Sequence, residues 1–162
     1  MNFNLAQFKQ ELEKRKQYID NCLQKHLTRL DAYPPVIHEA MHYAIFNGGK
    51  RLRPIMVLEG AKLVGGSQEN AVPVACALEM IHSYSLVHDD LPAMDDDDLR
   101  RGKPTCHIVF GEANAILTGD ALLTGAFVVM TESAGMPGVK PDNLIRVIRE
   151  IAEAAGSQGM IG

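Results

Sequence analysis

The sequence predicts an all-α fold, a bundle of rather long helices around a cavity. Apolar residues recur at three- and four-residue spacing through nearly every segment. No segment alternates as a half-buried strand would. Clusters of Pro and Gly cut the chain into pieces of helical length. With 162 residues, 46% of them hydrophobic and 22% charged, the chain can bury one proper core. It shows no internal repeat, linker or domain boundary, so residues 1–162 read as a single domain.

Taken in order, the first 33 residues predict one amphipathic helix, with Leu5, Phe8, Leu12, Ile19, Leu23, Leu27 and Leu30 on its apolar stripe, stopped by Pro34-Pro35. A second helix spans Val36 to Phe46 and ends at Asn47-Gly48-Gly49. Pro54 begins a third, which runs to Gly65-Gly66. Ser67 caps a long fourth helix reaching Asp89 or Asp90, with Pro73 early enough to be tolerated. Leu91-Pro92 ends it, and an acidic-basic loop follows to Thr105. An apolar, small-residue helix spans Glu112 to Ser133, and Gly135-Met136-Pro137-Gly138 breaks it. A further helix starts near Asp142 and carries Ile145, Ile148, Ile151 and Ala152 on one side. The small, apolar stretch Gly156–Gly162 reads as the start of another buried helix, so the chain reads as cut mid-domain.

The formal net charge of −4 argues against a nucleic-acid partner. Cys22, Cys76 and Cys106 are odd in number and lack zinc spacing, which suits free thiols in a reducing compartment. The N-terminus has no signal-peptide hydrophobic region, and no membrane-spanning run stands out. A cytoplasmic location follows.

The chemistry concentrates between His88 and Gly102, where six aspartates fall within ten positions and Arg100-Arg101 follow. Crowded carboxylates repel unless cations lie among them, and hard oxygen donors favour Mg²⁺. Magnesium held by few carboxylates keeps positions for water and substrate phosphates, and paired arginines grip the same phosphates. On the fourth helix His82, Ser85 and Asp89 share one face, at about 100° per residue. Asp90 points elsewhere, and Asp95 lies beyond Pro92, so the loop must fold back if Asp89 and Asp95 are to share a metal. Lys50, Arg51 and Arg53 precede a helix start, a natural anion site. The pattern is not a P-loop, because no Ser or Thr follows Lys50. Nor is it an EF-hand, because Arg101 stands where Gly is needed. His38 and His42, four apart, lack a third ligand. Two alternatives stay open: a metal phosphohydrolase of the HD type using His88 as ligand, and a noncatalytic subunit.

These motifs carry a resemblance. Gly48-Gly49-Lys50-Arg51-Leu52-Arg53-Pro54 resembles the GGKRxRP motif of trans-isoprenyl diphosphate synthases. Asp89-Asp90, then Asp95, then Arg100-Arg101-Gly102-Lys103-Pro104-Thr105 resembles their first aspartate-rich motif with its trailing RRGxPT. Gly111-Glu112-Ala113-Asn114-Ala115 and Gly119-Asp120-Ala121-Leu122 are similar to the family's next helix. The likeness runs from about Val36 onward, and within the family it is strongest to bacterial members that make the fifteen-carbon product.

The resemblance implies an isoprenoid-synthase bundle, here its N-terminal part, in a domain about twice as long. It implies that Asp89 and Asp95 bind Mg²⁺ bridging to the allylic diphosphate, with Asp90 supporting and Arg100 contacting that diphosphate. It implies that Lys50, Arg53, His82 and Arg101 hold isopentenyl diphosphate, and that Arg51 is a neighbour. Tyr84 and Ser85 lie where a large residue floors the product cavity and favours fifteen carbons over twenty, although an ideal helix sets Tyr84 about 140° around from Asp89. The family's second aspartate-rich motif is not in this sequence, so the 162 residues alone are expected to be inactive or very weak. A homodimer at full length is also implied.

Overall fold

The computed structural model describes residues 4–27 and 29–162. It is all-α, as the sequence predicts: α1 (Leu5–His26), α2 (Pro35–Phe46), α3 (Leu52–Leu63), α4 (Gln68–Asp89), α5 (Cys106–Phe110), α6 (Glu112–Thr131) and α7 (Pro141–Ala155), with a 3-10 turn at Glu132–Gly135. A two-stranded hairpin, β1 (Leu99–Arg100) and β2 (Lys103–Pro104), lies in the acidic-basic loop. The sequence does not announce it, since two residues are too few to show alternation. Its two-residue turn puts Arg101 and Gly102 at φ 54 and 77, the positive values a tight hairpin needs.

α4 is the axis. Twelve of its side chains are buried and they point all round, from Val72 to Val87, so it is a core helix rather than a surface one. α6 lies along it through Ala115, Thr118, Gly119, Leu122, Ala126, Val129 and Met130. At Gly119 a Cβ would overlap the His88 ring, so glycine there lets the two helices close. The His88 Nε2 sits 3.0 Å from the Ile116 carbonyl and donates to it. By length and composition alone Glu112–Gly135 is long and apolar enough to cross a membrane, against the expectation of no such run. Its inner face is core, and Ile116, Leu117 and Val128 are exposed on its outer face.

Several boundaries move. α1 begins at Asn4, whose side-chain oxygen accepts from the Ala6 and Gln7 amides at 3.1 and 3.2 Å. It ends at His26 rather than running to residue 33, since Leu27 is extended. Leu27 still plugs the core while Leu30 is exposed, so their three-residue spacing mimics a helical stripe without belonging to one. Residues 1–3 and 28 of the expected helix lie outside the described residues. α3 starts at Leu52, two residues before Pro54, which the first turn accommodates. On α7 the inward stripe is Leu144, Ile148, Ile151 and Ala155, while Ile145 and Ala152 are exposed. Gly156–Gly162 forms exposed turns closed by backbone bonds such as Met160 N–H to the Ala154 carbonyl at 2.9 Å. The expectation of a buried helix there is corrected: Gly156 and Gly159 favour turns, and Met160 and Ile161 face outward.

Gly119→Ala is expected to destabilise the chain by about 1–3 kcal/mol through overpacking against His88. In a His88→Ala background most of that penalty should vanish. Urea melts of the two single variants and the double variant measure the coupling.

Candidate functional site

The site is built where α4 stops. Leu91 and Cys106 flank the loop and bury themselves with Ala40, Val87 and Ala115 in a small cluster apart from the main core. The loop between them is closed by backbone bonds. The Asp95 amide donates to the Asp89 carbonyl at 2.8 Å, Asp96 to Leu91 at 3.1 Å, Asp97 to Asp90 at 3.2 Å and Thr105 to Asp98 at 3.0 Å. The chain thus folds back past Pro92 and brings Asp95 alongside Asp89. Asp89 is half-buried and Asp95 exposed, and among the described residues no hydrogen bond or ion pair engages either carboxylate. No group of three or more His, Cys, Asp or Glu converges as a metal cage among those residues. What the fold-back brings together is the main chain of two residues that carry hard oxygen donors, Asp89 and Asp95.

Asp90 is buried and faces Arg100. The Arg100 Nε and Nη2 both donate to Asp90 Oδ1, at 2.7 and 2.5 Å, and Asp97 lies 3.8 Å from Nη2. The Asp90 carboxylate holds the guanidinium pKa above its ordinary value. The hairpin that carries Arg100 and Arg101 is clasped to α2, where Tyr43 Oη and Asn47 Nδ2 donate to the Pro104 carbonyl at 2.7 and 3.4 Å.

Opposite lies a cationic cavity of about 360 Å³ lined by Gly49, Lys50, Leu52, Arg53, Glu79, His82 and Arg101. Gly48 and Gly49 have φ of 116 and 127, which only glycine adopts freely. They also make room: a Cβ on Gly49 would sit 2.9 Å from the Arg101 Nη1 and 3.1 Å from the Arg51 Nη1. The Arg101 side chain therefore lies across the glycine turn and joins the two arms of the site. His82 is half-buried. Burial and the charges of Arg53, Arg101 and Arg100 push its pKa below the ordinary value, although Glu79 opposes this. Burial and these cations therefore favour the neutral ring, which can both donate and accept a hydrogen bond.

The residues named from the sequence separate in space. Lys50, Arg53, His82 and Arg101 share the cavity, and Asp89 and Asp95 are brought side by side. Ser85 does not reach the cavity lining, because its hydroxyl donates to the His82 carbonyl of its own helix at 2.9 Å. Tyr84 is 6% exposed in the main core, edge-on to His88 with ring centroids 5.8 Å apart. Burial and the Asp89 carboxylate raise its phenol pKa. His88 donates from Nε2 to Ile116 and keeps a lone pair only on Nδ1, and among the described residues it joins no group of three or more metal-binding side chains such as an HD-type site needs. His38 and His42 join no metal-binding group among the described residues.

Arg51 turns inward and is 3% exposed, its guanidinium ion-paired to Asp20 of α1 and Glu79 of α4. Sequence reasoning passed over both carboxylates. The available signal was Glu79 itself, a charge inside the apolar run Val72–Ile81.

A family model described as Polyprenyl synthetase matches residues 34–160. The chain is 49% identical over 151 residues to the farnesyl diphosphate synthase of Bacillus subtilis (strain 168), covering 93% of this chain and 50% of that protein. It is 52% identical over 128 residues to a chloroplastic geranylgeranyl pyrophosphate synthase of Capsicum annuum, covering 79% of this chain and 34% of that one. Among solved structures, a geranyltransferase from Legionella pneumophila superposes with a TM-score of 0.89 at 42% identity, over 98% of this chain and 55% of that chain. An FPP/GFPP synthase from Zymomonas mobilis gives 0.88 at 41% identity, over 97% and 56%. The chain spans about half the length of the curated relatives it matches.

His82 makes stability depend on pH. The unfolded imidazole takes a proton near pH 6.5, while the folded ring resists protonation to lower pH. The unfolded state therefore binds more protons in that window, and stability is full above pH 6.5 and falls as pH drops through the folded value. A His82→Gln variant should lose that part of the acid sensitivity, read as the difference between urea midpoints at pH 7.5 and pH 5. An NMR titration should place the His82 ring below a free imidazole.

Proposed function

We propose, from the premise that the chain belongs to the polyprenyl synthetase family, that the protein at the length of its relatives is a Mg²⁺-dependent prenyltransferase. It condenses isopentenyl diphosphate head-to-tail with dimethylallyl or geranyl diphosphate to give farnesyl diphosphate. The observation that carries this reading is the fold-back of the loop, which sets Asp95 against Asp89 beside a separate cationic cavity. One anion can meet a carboxylate-bound metal while a second is held by Lys50, Arg53, His82 and Arg101.

The donor set fits the ion. Asp89 and Asp95 are hard oxygen donors with no other partner among the described residues, and two carboxylates leave most positions of Mg²⁺ for phosphate oxygens and water. Bound there, Mg²⁺ would offset the charge that grows on the departing diphosphate. The chain's own residues supply the rest. Arg100, fixed by Asp90, presents positive charge to the allylic diphosphate as its C–O bond breaks and the electron pair leaves with it. Lys50, Arg53 and Arg101 fix the other diphosphate, so that the isopentenyl double bond faces the allylic cation. That double bond attacks the allylic carbon to form the new C–C bond, and the tertiary cation left behind loses a proton to the released diphosphate, which restores a double bond.

Tyr84 favours farnesyl diphosphate, since its bulk is packed rather than free to swing aside. Geranylgeranyl diphosphate is the second reading, supported by relatives of that name at 52% identity. We place the protein in the cytoplasm, as three buried free thiols suggest, and as a homodimer, for which the exposed Ile116, Leu117 and Val128 of α6 offer an apolar face.

In a full-length protein, Asp89→Ala and Asp95→Ala should each lower turnover of geranyl with isopentenyl diphosphate by about a hundredfold or more. Retention of wild-type rates by both variants would refute the metal assignment. Tyr84→Ala should lengthen the product, read by chromatography of the dephosphorylated alcohols. The 162-residue chain alone should show no measurable turnover.

A further inference from the structure

One carboxylate, Glu79, lines a pocket that is otherwise cationic, and a second, Asp20 of α1, meets Glu79 at the same guanidinium. For an anion pocket this is electrostatically unfavourable, and so calls for another role. Both carboxylates end on Arg51. Its Nε donates to Asp20 Oδ1 at 2.6 Å, its Nη1 to Glu79 Oε1 at 2.8 Å and its Nη2 to the Ile45 carbonyl at 2.7 Å. The side chains of Arg51 and Glu79 are 2% and 4% exposed, so this guanidinium is spent inside the protein. The second oxygen of Asp20 is held by Lys16 Nζ at 2.8 Å.

The backbone of Arg51 is equally constrained. It is left-handed, φ 53 and ψ 32, immediately before α3. A non-glycine residue there is disfavoured and persists when its surroundings over-determine it. Three hydrogen bonds from three elements do so. Lys50 precedes this residue and Arg53 follows two later, so its left-handed turn decides how both side chains enter the cavity.

We infer that Asp20 and Glu79 are positioning residues, which act through the Arg51 guanidinium to lock the 48–53 turn so that Lys50 and Arg53 face one diphosphate. The inference rests on reading that cavity as the isopentenyl diphosphate pocket, and it extends the site to α1, outside the matched residues 34–160.

The test uses full-length protein in chelator-treated buffer, titrated calorimetrically with inorganic pyrophosphate so that the cationic pocket alone is read. Asp20→Asn should bind about tenfold more weakly at unchanged stoichiometry. Glu79→Gln, and Arg51→Lys, which keeps the charge but cannot make all three bonds, should weaken binding in the same direction. Charge alone predicts the opposite, because deleting a carboxylate beside an anion pocket should tighten binding. Tighter or unchanged affinity in Asp20→Asn therefore overturns the inference. So does a fall in stoichiometry at constant affinity, which marks a purely structural role. In turnover, Asp20→Asn should raise KM for isopentenyl diphosphate about tenfold while kcat and the allylic KM hold. Wild-type protein that binds pyrophosphate without condensing substrates would refute the prenyl-transfer reading and leave the positioning role standing. Wild-type protein that binds none would overturn the positioning role.

Discussion

Where α4 ends governs the whole site. A helix buried on nearly every side cannot continue into a run of aspartates, since unpaired charge does not belong in a core. Leu91-Pro92 breaks it at that point, and the chain is caught by the Asp95 amide on the Asp89 carbonyl at 2.8 Å. The closure uses main chain. Had side-chain oxygens capped the turn, they would have been consumed. Backbone bonds instead hold the loop while Asp89 and Asp95 keep both oxygens. Leu91 and Cys106, buried at the loop's two ends, anchor that geometry to α2 and α6.

The basic arm follows the same economy in reverse. Of the three cations in Lys50-Arg51-Leu52-Arg53, one is buried and exhausted so that two can remain available. Arg suits the buried post, because its planar fork serves Asp20, Glu79 and a carbonyl at once, where an ammonium on a flexible stem would fix no direction. Gly48 and Gly49 then serve two needs, a backbone that bends with positive φ and a floor low enough for Arg101 to lie across.

The sequence carried the helical order well where a boundary was written in local chemistry: Ser67 as a cap, Gly65-Gly66 at a stop, Leu91-Pro92 at the end of α4. It misled where periodicity outlived the helix, at Leu27 and Leu30, and where small apolar residues suggested burial, at Gly156–Gly162. The motifs named Lys50, Arg53, His82 and Arg101, and the structure lines one cavity with them. Asp20 lay beyond reach, since a surface-patterned carboxylate on α1 carries no mark of its pairing with Arg51, thirty-one residues away. Pairing across that distance is tertiary information. The inward turn of His88 was equally hidden, because it depends on the space left by Gly119 on another helix.

Arg100 shows how an ion pair and an anion site can share one guanidinium. Its pairing with Asp90 looks at first like a competitor to any phosphate. The group has five donors, however, and Asp90 takes those on Nε and Nη2 through a single oxygen. Nη1 and part of Nη2 remain for a ligand. A free arginine on a hairpin tip would lose side-chain entropy each time it met an anion. Anchored by a buried carboxylate, it has already lost most of that freedom on folding. Asp90 therefore lowers the local net charge while raising order, and in the prenyl transfer proposed above a donor already held in place needs no reorganisation as charge grows on the leaving group.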